Sequence, residues 1–319
     1  MSDDNMERYY AANTAHYDTG LMRIGCTEKQ ALAYAAYFRK FRSVYYQKIE
    51  QASQLLDRSS EGPIRILDVG CGLGEDIHAL DQMLSQAEFV GVEISSTAVE
   101  ICERSKSDNM KFFCGELSNL PEPPQSFDLI INFCVLEHVS SPIDILQHCE
   151  HFLKKQGVII SVVPNHLYSW SWHLPQYLVM KLLGKDVLTH SVRTRIMQMA
   201  FQQLDLHVLH YDVFGFRPPQ PFFCQIPERL LAGTLKNMEA IGEALSHTFF
   251  RPYLYLELFV CSKRSMSDMK TLRREVFVDS NDISAAWGLL AVPYFVYWWI
   301  MTILSAAKRA FRGISKGHG

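Results

Sequence analysis

Several common signatures are missing from this chain. Its 8 cysteines form no C-x-x-C pair and no Cys/His run with zinc spacing, which excludes the usual structural zinc modules. There is no basic stripe: Lys and Arg are scattered until the C-terminal region. The formal net charge of -3, with a pI near 6.5, gives no electrostatic footprint for nucleic acid. Internal repeats and low-complexity tracts are also lacking. The start, Met1-Ser2-Asp3-Asp4, is polar rather than signal-like. Together with the cysteine pattern this predicts a reducing, cytosolic setting for the main domain.

What the chain does have is one dense local pattern. Ile66-Leu67-Asp68-Val69-Gly70-Cys71-Gly72-Leu73-Gly74-Glu75-Asp76 runs from an apolar strand through three alternating glycines into two acids. Glycine at a strand-to-helix turn accepts unusual backbone angles and lets a ligand approach the main chain. The turn therefore reads as a cradle for a nucleotide-like cofactor. A dinucleotide turn needs a further glycine three positions after the second. That position is Glu75 counted from Gly70 and Gly72, and Ile77 counted from Gly72 and Gly74. No Gly-Lys-Ser/Thr follows, so a P-loop is excluded too. Glu75 and Asp76 fall in the first helical turn, where they would repel a pyrophosphate and welcome a cation.

The order of later features carries a resemblance. After a helix from about Ile77 to Leu84, Phe89-Val90-Gly91-Val92-Glu93 reads as a second strand ending in a carboxylate, followed by a helix from Ser96 to Arg104. Then come Phe112 to Pro121 with Glu116, Ser126 to Val139 with Leu136-Glu137-His138, and the apolar run Gly157 to Asn165. Over roughly Tyr9 to Lys263 this set resembles the class I S-adenosylmethionine-dependent methyltransferases, of the type 11 or ubiquinone-biosynthesis group. The resemblance implies an α/β fold: a Rossmann-like, doubly wound, seven-stranded sheet, with N-terminal helices and a C-terminal hydrophobic helix added. It implies S-adenosylmethionine as cofactor, held by Asp68, Gly70, Gly72, Gly74, Glu93 and Glu116. Glu93 would take the ribose hydroxyls and Glu116 the adenine amino group. Tyr17 would lie near the methionine end.

For catalysis the resemblance singles out His138, on the loop beside the methyl in relatives. It is the first candidate base for an acceptor hydroxyl, and the alternative is that it only holds the loop. His166 is a reserve, as is His190. Glu137 and His138 are similar to part of the metal site of some relatives, but the acid expected upstream is Cys134, so no metal is assigned. Cys71 and Cys134 read as small apolar residues rather than nucleophiles.

The chain divides into a helical cap at 1–62, a cofactor-binding domain at 63–264 carrying a substrate insertion at 166–205, a polar linker at 265–282 and a hydrophobic segment at 283–312. The insertion contains the run His166 to Met180, too aromatic and apolar for a solvated loop. Residues 285–307 carry no formal charge. At ~1.5 Å per residue they could cross a bilayer core of ~30 Å. Pro293 interrupts them, the aromatic residues sit centrally, and basic residues stand on both sides. A cytoplasmic-face attachment is favoured over a single span.

These features predict a membrane-attached methyltransferase, its catalytic domain in the cytoplasm, acting on a hydrophobic or lipid-like acceptor, preferably the hydroxyl of a phenol or quinol. No nucleic-acid partner is expected. C- or N-methylation, a soluble enzyme whose apolar tail forms an oligomer interface, and a non-catalytic subunit of a membrane complex are the rivals.

Overall fold

The fold was obtained as a computed structural model, which describes residues 27–56, 62–139, 141–165, 194–215, 226–246 and 256–263. Its first described element is α1 (Glu28–Leu55), opened by a capping box in which Thr27 and Gln30 bond each other's backbone amides. Tyr45, Ile49, Ala52 and Leu56 recur at helical spacing and are buried, so one stripe of α1 faces the core.

The chain then alternates strand and helix: β1 (Ile64–Val69), α2 (Glu75–Met83), β2 (Ala87–Glu93), α3 (Ser96–Ser105), β3 (Met110–Cys114), β4 (Phe127–Phe133), α4 (Pro142–Phe152) and β5 (Leu153–Pro164). Within the stretch read as the insertion lies α5 (Thr194–Gln203), and after it come β6 (His207–Phe214), α6 (Leu231–Ser246) and β7 (Leu256–Ser262). The strands form a seven-stranded sheet in the order β3-β2-β1-β4-β5-β7-β6. β1 pairs parallel with β2 and β4, while β7 runs antiparallel between β5 and β6. This is the expected doubly wound α/β architecture. The elements predicted from sequence recur with small shifts, as where β5 starts at Leu153 rather than Gly157.

Helices on both faces explain the apolar strands. One core joins Ile66, Leu129, Ile131, Phe133 and Ile160 of the sheet to Tyr45, Ile49 and Ala52 of α1 and Ile77 and Leu80 of α2. The other joins Leu67, Ile130, Ile159 and Phe259 to Leu146, Cys149 and Phe152 of α4 and Met197 and Phe201 of α5. Strand order reverses between β1 and β4, so the crevice at the carboxyl ends of these strands is where such a sheet takes its ligand.

The candidate C-terminal hydrophobic helix, the linker and the cap before Thr27 lie outside the described residues. Among those described, no helix is long and apolar enough to cross a membrane.

Gly91 on β2 shows how tightly the glycine turn is backed. A β-carbon there would stand 2.7 Å from Cys71 Sγ and from Phe112 Cδ1, and 2.9 Å from Ile77 Cδ1. Gly91→Ala is expected to destabilise the fold by about 1–3 kcal/mol, read as a lower urea midpoint at unchanged m-value.

Candidate active site

The glycine turn closes β1 onto α2. Gly70, Gly72 and Gly74 all take left-handed backbone angles, with φ of +71°, +54° and +77°. Side chains are excluded for different reasons along it. At Gly70 a β-carbon would stand 2.6 Å from Val135 Cγ2, whereas at Gly72 it would meet no heavy atom of the described residues within 4 Å. Space is thus kept over Gly72 itself, as a cradle for a ligand against the backbone requires. The turn is laced to β2, because Gly70 N and Cys71 N donate to Val92 O at 2.8 and 3.1 Å. Gly72 N donates to Glu93 Oε2 at 3.1 Å, and Ser95 N to Glu93 Oε1 at 3.0 Å. From below, Cys102 Sγ donates to Gly72 O at 3.5 Å. Its hydrogen bond with Cys71, and then burial, hold the Cys71 thiol well above its ordinary range, so Cys71 is a packing residue rather than a nucleophile.

Asp68, one residue before the end of β1, is 1% exposed. Its Oδ2 finds no hydrogen-bond partner among the described residues. Burial, with Asp76 beside it, pushes its carboxyl well above the usual carboxylate range. A buried acid in this position calls for a cation or a donor from outside the protein.

The two acids after the glycines behave differently from the expectation. Arg42 of α1 forms an ion pair with Asp76, stands 3.4 Å from Glu75, and lies over the Phe133 ring at 4.7 Å. Tyr46 Oη donates to Asp76 Oδ1 at 2.7 Å. The cation that Glu75 and Asp76 were expected to welcome is therefore supplied by the protein's own N-terminal helix, and Asp68 is the acid left over. Arg42, Tyr45 and Tyr46 were missed by sequence reasoning. Their signal in the sequence is two adjacent tyrosines within a helical stretch, which suits a core equally well.

Glu116 follows β3, is exposed, and stands at the same edge as Glu93; Gly115 N donates to Glu93 O at 2.9 Å. Beyond β4, Cys134 takes a left-handed backbone with φ of +57°, uncommon for a side chain of this kind. Its amide donates to Val162 O at 2.8 Å, and a short 3₁₀ turn, Leu136–His138, follows. This puts His138 on the surface, its side chain 64% exposed, with Nε2 3.8 Å from Oε1 of buried Glu137. Burial pushes the Glu137 carboxyl up to about 7. Asp68, Gly70, Gly72, Gly74, Glu93, Glu116 and His138 are thus all brought to one edge of the sheet. Tyr17, His166, His190 and the aromatic run after His166 lie outside the described residues. Among the described residues no group of His, Cys, Asp and Glu could hold a metal ion.

Comparison with known proteins gives this arrangement a context. A family model described as a methyltransferase domain matches residues 60–201. The chain is similar to the demethylmenaquinone methyltransferase of Thermotoga maritima, 25% identical over 169 residues that cover 44% of this chain and 73% of that one. It is similar also to the trans-aconitate 2-methyltransferase of Acidovorax ebreus, 23% identical over 222 residues, with 69% and 80% covered. A third likeness is to the ubiquinone biosynthesis O-methyltransferase of Parvibaculum lavamentivorans, 27% identical over 134 residues, with 40% and 52% covered.

The raised carboxyl of Glu137 makes a stability prediction. Its folded pKa lies above the ordinary glutamate value of about 4.5, so the protonated form is the one the fold favours. That contribution is complete below about pH 4.5 and is lost as the pH rises through about 7. Glu137→Gln keeps the shape without the charge. The variant is expected to match the parent at pH 4 and to exceed it by a few kcal/mol at pH 8, measured as a melting-temperature gap that opens with pH.

Proposed function

For a chain that belongs to the class I S-adenosylmethionine-dependent methyltransferases, we propose O-methylation of a hydrophobic, membrane-associated acceptor, a phenol, quinol or related lipid. S-adenosylmethionine supplies an electrophilic methyl group. Asp68, Gly70, Gly72, Gly74, Glu93 and Glu116 hold it, Glu93 at the ribose and Glu116 at the adenine. Asp68 fits a cationic group because its buried Oδ2 has no partner among the described residues, and Gly72 fits close approach because none of the described residues fills the space over it.

The single observation that carries the O-methyl reading is the placement of His138. A basic ring, largely exposed, stands on the loop after β4 at the same edge as the glycine turn, backed by a buried carboxyl. From there His138 takes the proton of an acceptor hydroxyl as the oxygen gains its methyl. The remaining task of the chain is alignment and exclusion of water.

The hydrophobic acceptor is supported by two of the similar proteins, whose names refer to quinones, and by the uncharged run 285–307. An enzyme held at the cytoplasmic face meets an acceptor dissolved in the bilayer at a raised effective concentration. The name of another relative refers to trans-aconitate, a carboxylate acceptor that would need a cation. Arg42, at this edge of the sheet, is already paired with Asp76 and Glu75.

The test compares lipid extracts of cells with and without the intact protein by mass spectrometry, with Gly72→Arg as the cofactor-blind control. A lipid gaining one methylene unit in the presence of the intact protein only is expected, and a methylated soluble acid instead would overturn the acceptor class. The full-length chain, Gly72→Arg included, should pellet with membranes and resist carbonate extraction. A C-terminal tag protected from protease in sealed vesicles would replace surface attachment by a span. With purified enzyme, His138→Ala should lower kcat by about 10²–10⁴-fold at unchanged cofactor affinity. An unchanged kcat would reduce His138 to a loop residue.

A further inference from the structure

Two polar atoms stand out in the described structure because burial leaves them without a hydrogen bond at the same place. One is Asp68 Oδ2; the other is the hydroxyl of Tyr45, a residue with no exposed surface. Tyr45 is near the middle of α1, on its core-facing stripe, and its ring lies 5.1 Å from the Phe133 ring at the end of β4. Asp68 pairs in register with Ile131 on β4, one pleat before Phe133, and shares a sheet face with Ile66. Ile66, Ile131, Phe133 and Tyr45 belong to one core. Tyr45 and Asp68 therefore close on the same corner, where the face of the sheet turns into its carboxyl edge.

Burial raises the Tyr45 hydroxyl well above its ordinary range, and the nearby charges of Asp76 and then Asp68 raise it further. Tyr45 and Asp68 do not bond each other, because each lacks a partner among the described residues. Two described polar groups of α1 near this corner are committed elsewhere: Arg42 to Asp76 and Glu75, and Tyr46 to Asp76. These bonds hold α1 against α2 and fix where the Tyr45 ring points. A buried hydroxyl and a buried carboxyl at one corner, each without a partner among the described residues, match a small group that carries several N–H donors and a positive charge.

We propose that Tyr45 is a cofactor-binding residue, its hydroxyl and the Asp68 carboxylate together bracketing the primary ammonium at the amino-acid end of S-adenosylmethionine. The proposal rests on the reading that places the cofactor over the glycine turn. It gives α1 a direct part in the site, and it makes recognition of the amino-acid end separable from recognition of the nucleoside, which falls to Glu93 and Glu116.

Calorimetric titration of the full-length protein with S-adenosylhomocysteine and with 5′-methylthioadenosine, which lacks the amino-acid end, tests this. Tyr45→Phe should weaken S-adenosylhomocysteine about tenfold, the size of one hydrogen bond to a charged group, and leave methylthioadenosine within about twofold. Thermal unfolding supplies a readout that a purely structural hydroxyl would not give. Removing an unbonded buried hydroxyl leaves the ligand-free melting temperature unchanged or raised, while the shift produced by S-adenosylhomocysteine shrinks. Unchanged S-adenosylhomocysteine affinity overturns the proposal and leaves a buried water as the partner of Tyr45. So does equal weakening of both ligands, or a ligand-free protein that melts lower. Gly72→Arg separates the deeper failure: if it still binds both ligands, the cofactor does not lie over the turn, and the reading and the proposal fall together.

Discussion

The ion pair between Arg42 and Asp76 is the constraint on which the arrangement of the site depends. Asp76 is buried at the start of α2, directly after the glycine turn, and Arg42 comes from the preceding helix, 34 residues earlier in the chain. Breaking a buried pair from one side strands a charge and costs about 3–5 kcal/mol, so α1 and α2 are held together by more than apolar contact. The guanidinium also lies over Phe133, which extends the same bond to the end of β4. Three elements that approach the ligand crevice from different directions are thereby fixed to one another, with Tyr45 carried in between.

The sheet supplies the complementary rigidity. Parallel strands buried on both faces leave little room for adjustment, as the close contacts around Gly91 and Gly70 show. The Cys71 side chain of the turn packs over Gly91 together with Phe112 and Ile77, Val135 stands against Gly70, and the Val92 carbonyl of β2 accepts from the turn. Chemistry that consists mostly of alignment benefits from such a frame, because misplacement of the reacting atoms is costly in rate. The loop after β4 departs from regular geometry at Cys134, and that departure sets the short turn bearing His138 on the surface while Glu137 turns inward.

What the sequence made legible was local. The run from Ile66 to Asp76 contains its own strand, turn and helix start, and Glu93 and Glu116 follow at the ends of strands whose apolar pattern is continuous. These segments needed no knowledge of distant contacts, and the observed boundaries differ from the expected ones by a few residues. The environment of the acids was a different matter. Glu75 and Asp76 stand beside the glycines in sequence and were read as open to a cation, but their charge is taken by a residue from another helix. Asp68 is singled out in the sequence through the family resemblance, and only burial shows it as an acid whose Oδ2 lacks a hydrogen-bond partner among the described residues. Tyr45 and Tyr46 are adjacent in the chain and opposite in consequence, one bonded to Asp76 and one not. Periodicity identifies the stripe of α1 that is buried; it carries no information about which hydroxyl meets which carboxylate.

Glu93 gives the turn a property that follows from its two backbone bonds. Its carboxylate is already gripped by the amides of Gly72 and Ser95, so the acid assigned to the ribose also serves as the clasp that keeps the glycine loop in shape. A hydroxyl arriving at this carboxylate meets an acceptor whose orientation has been settled in advance, and little freedom is left to lose on binding. The same economy ties two properties into one residue: replacing Glu93 alters the contour of the cradle together with its chemistry, and evolution at this position cannot tune one without disturbing the other.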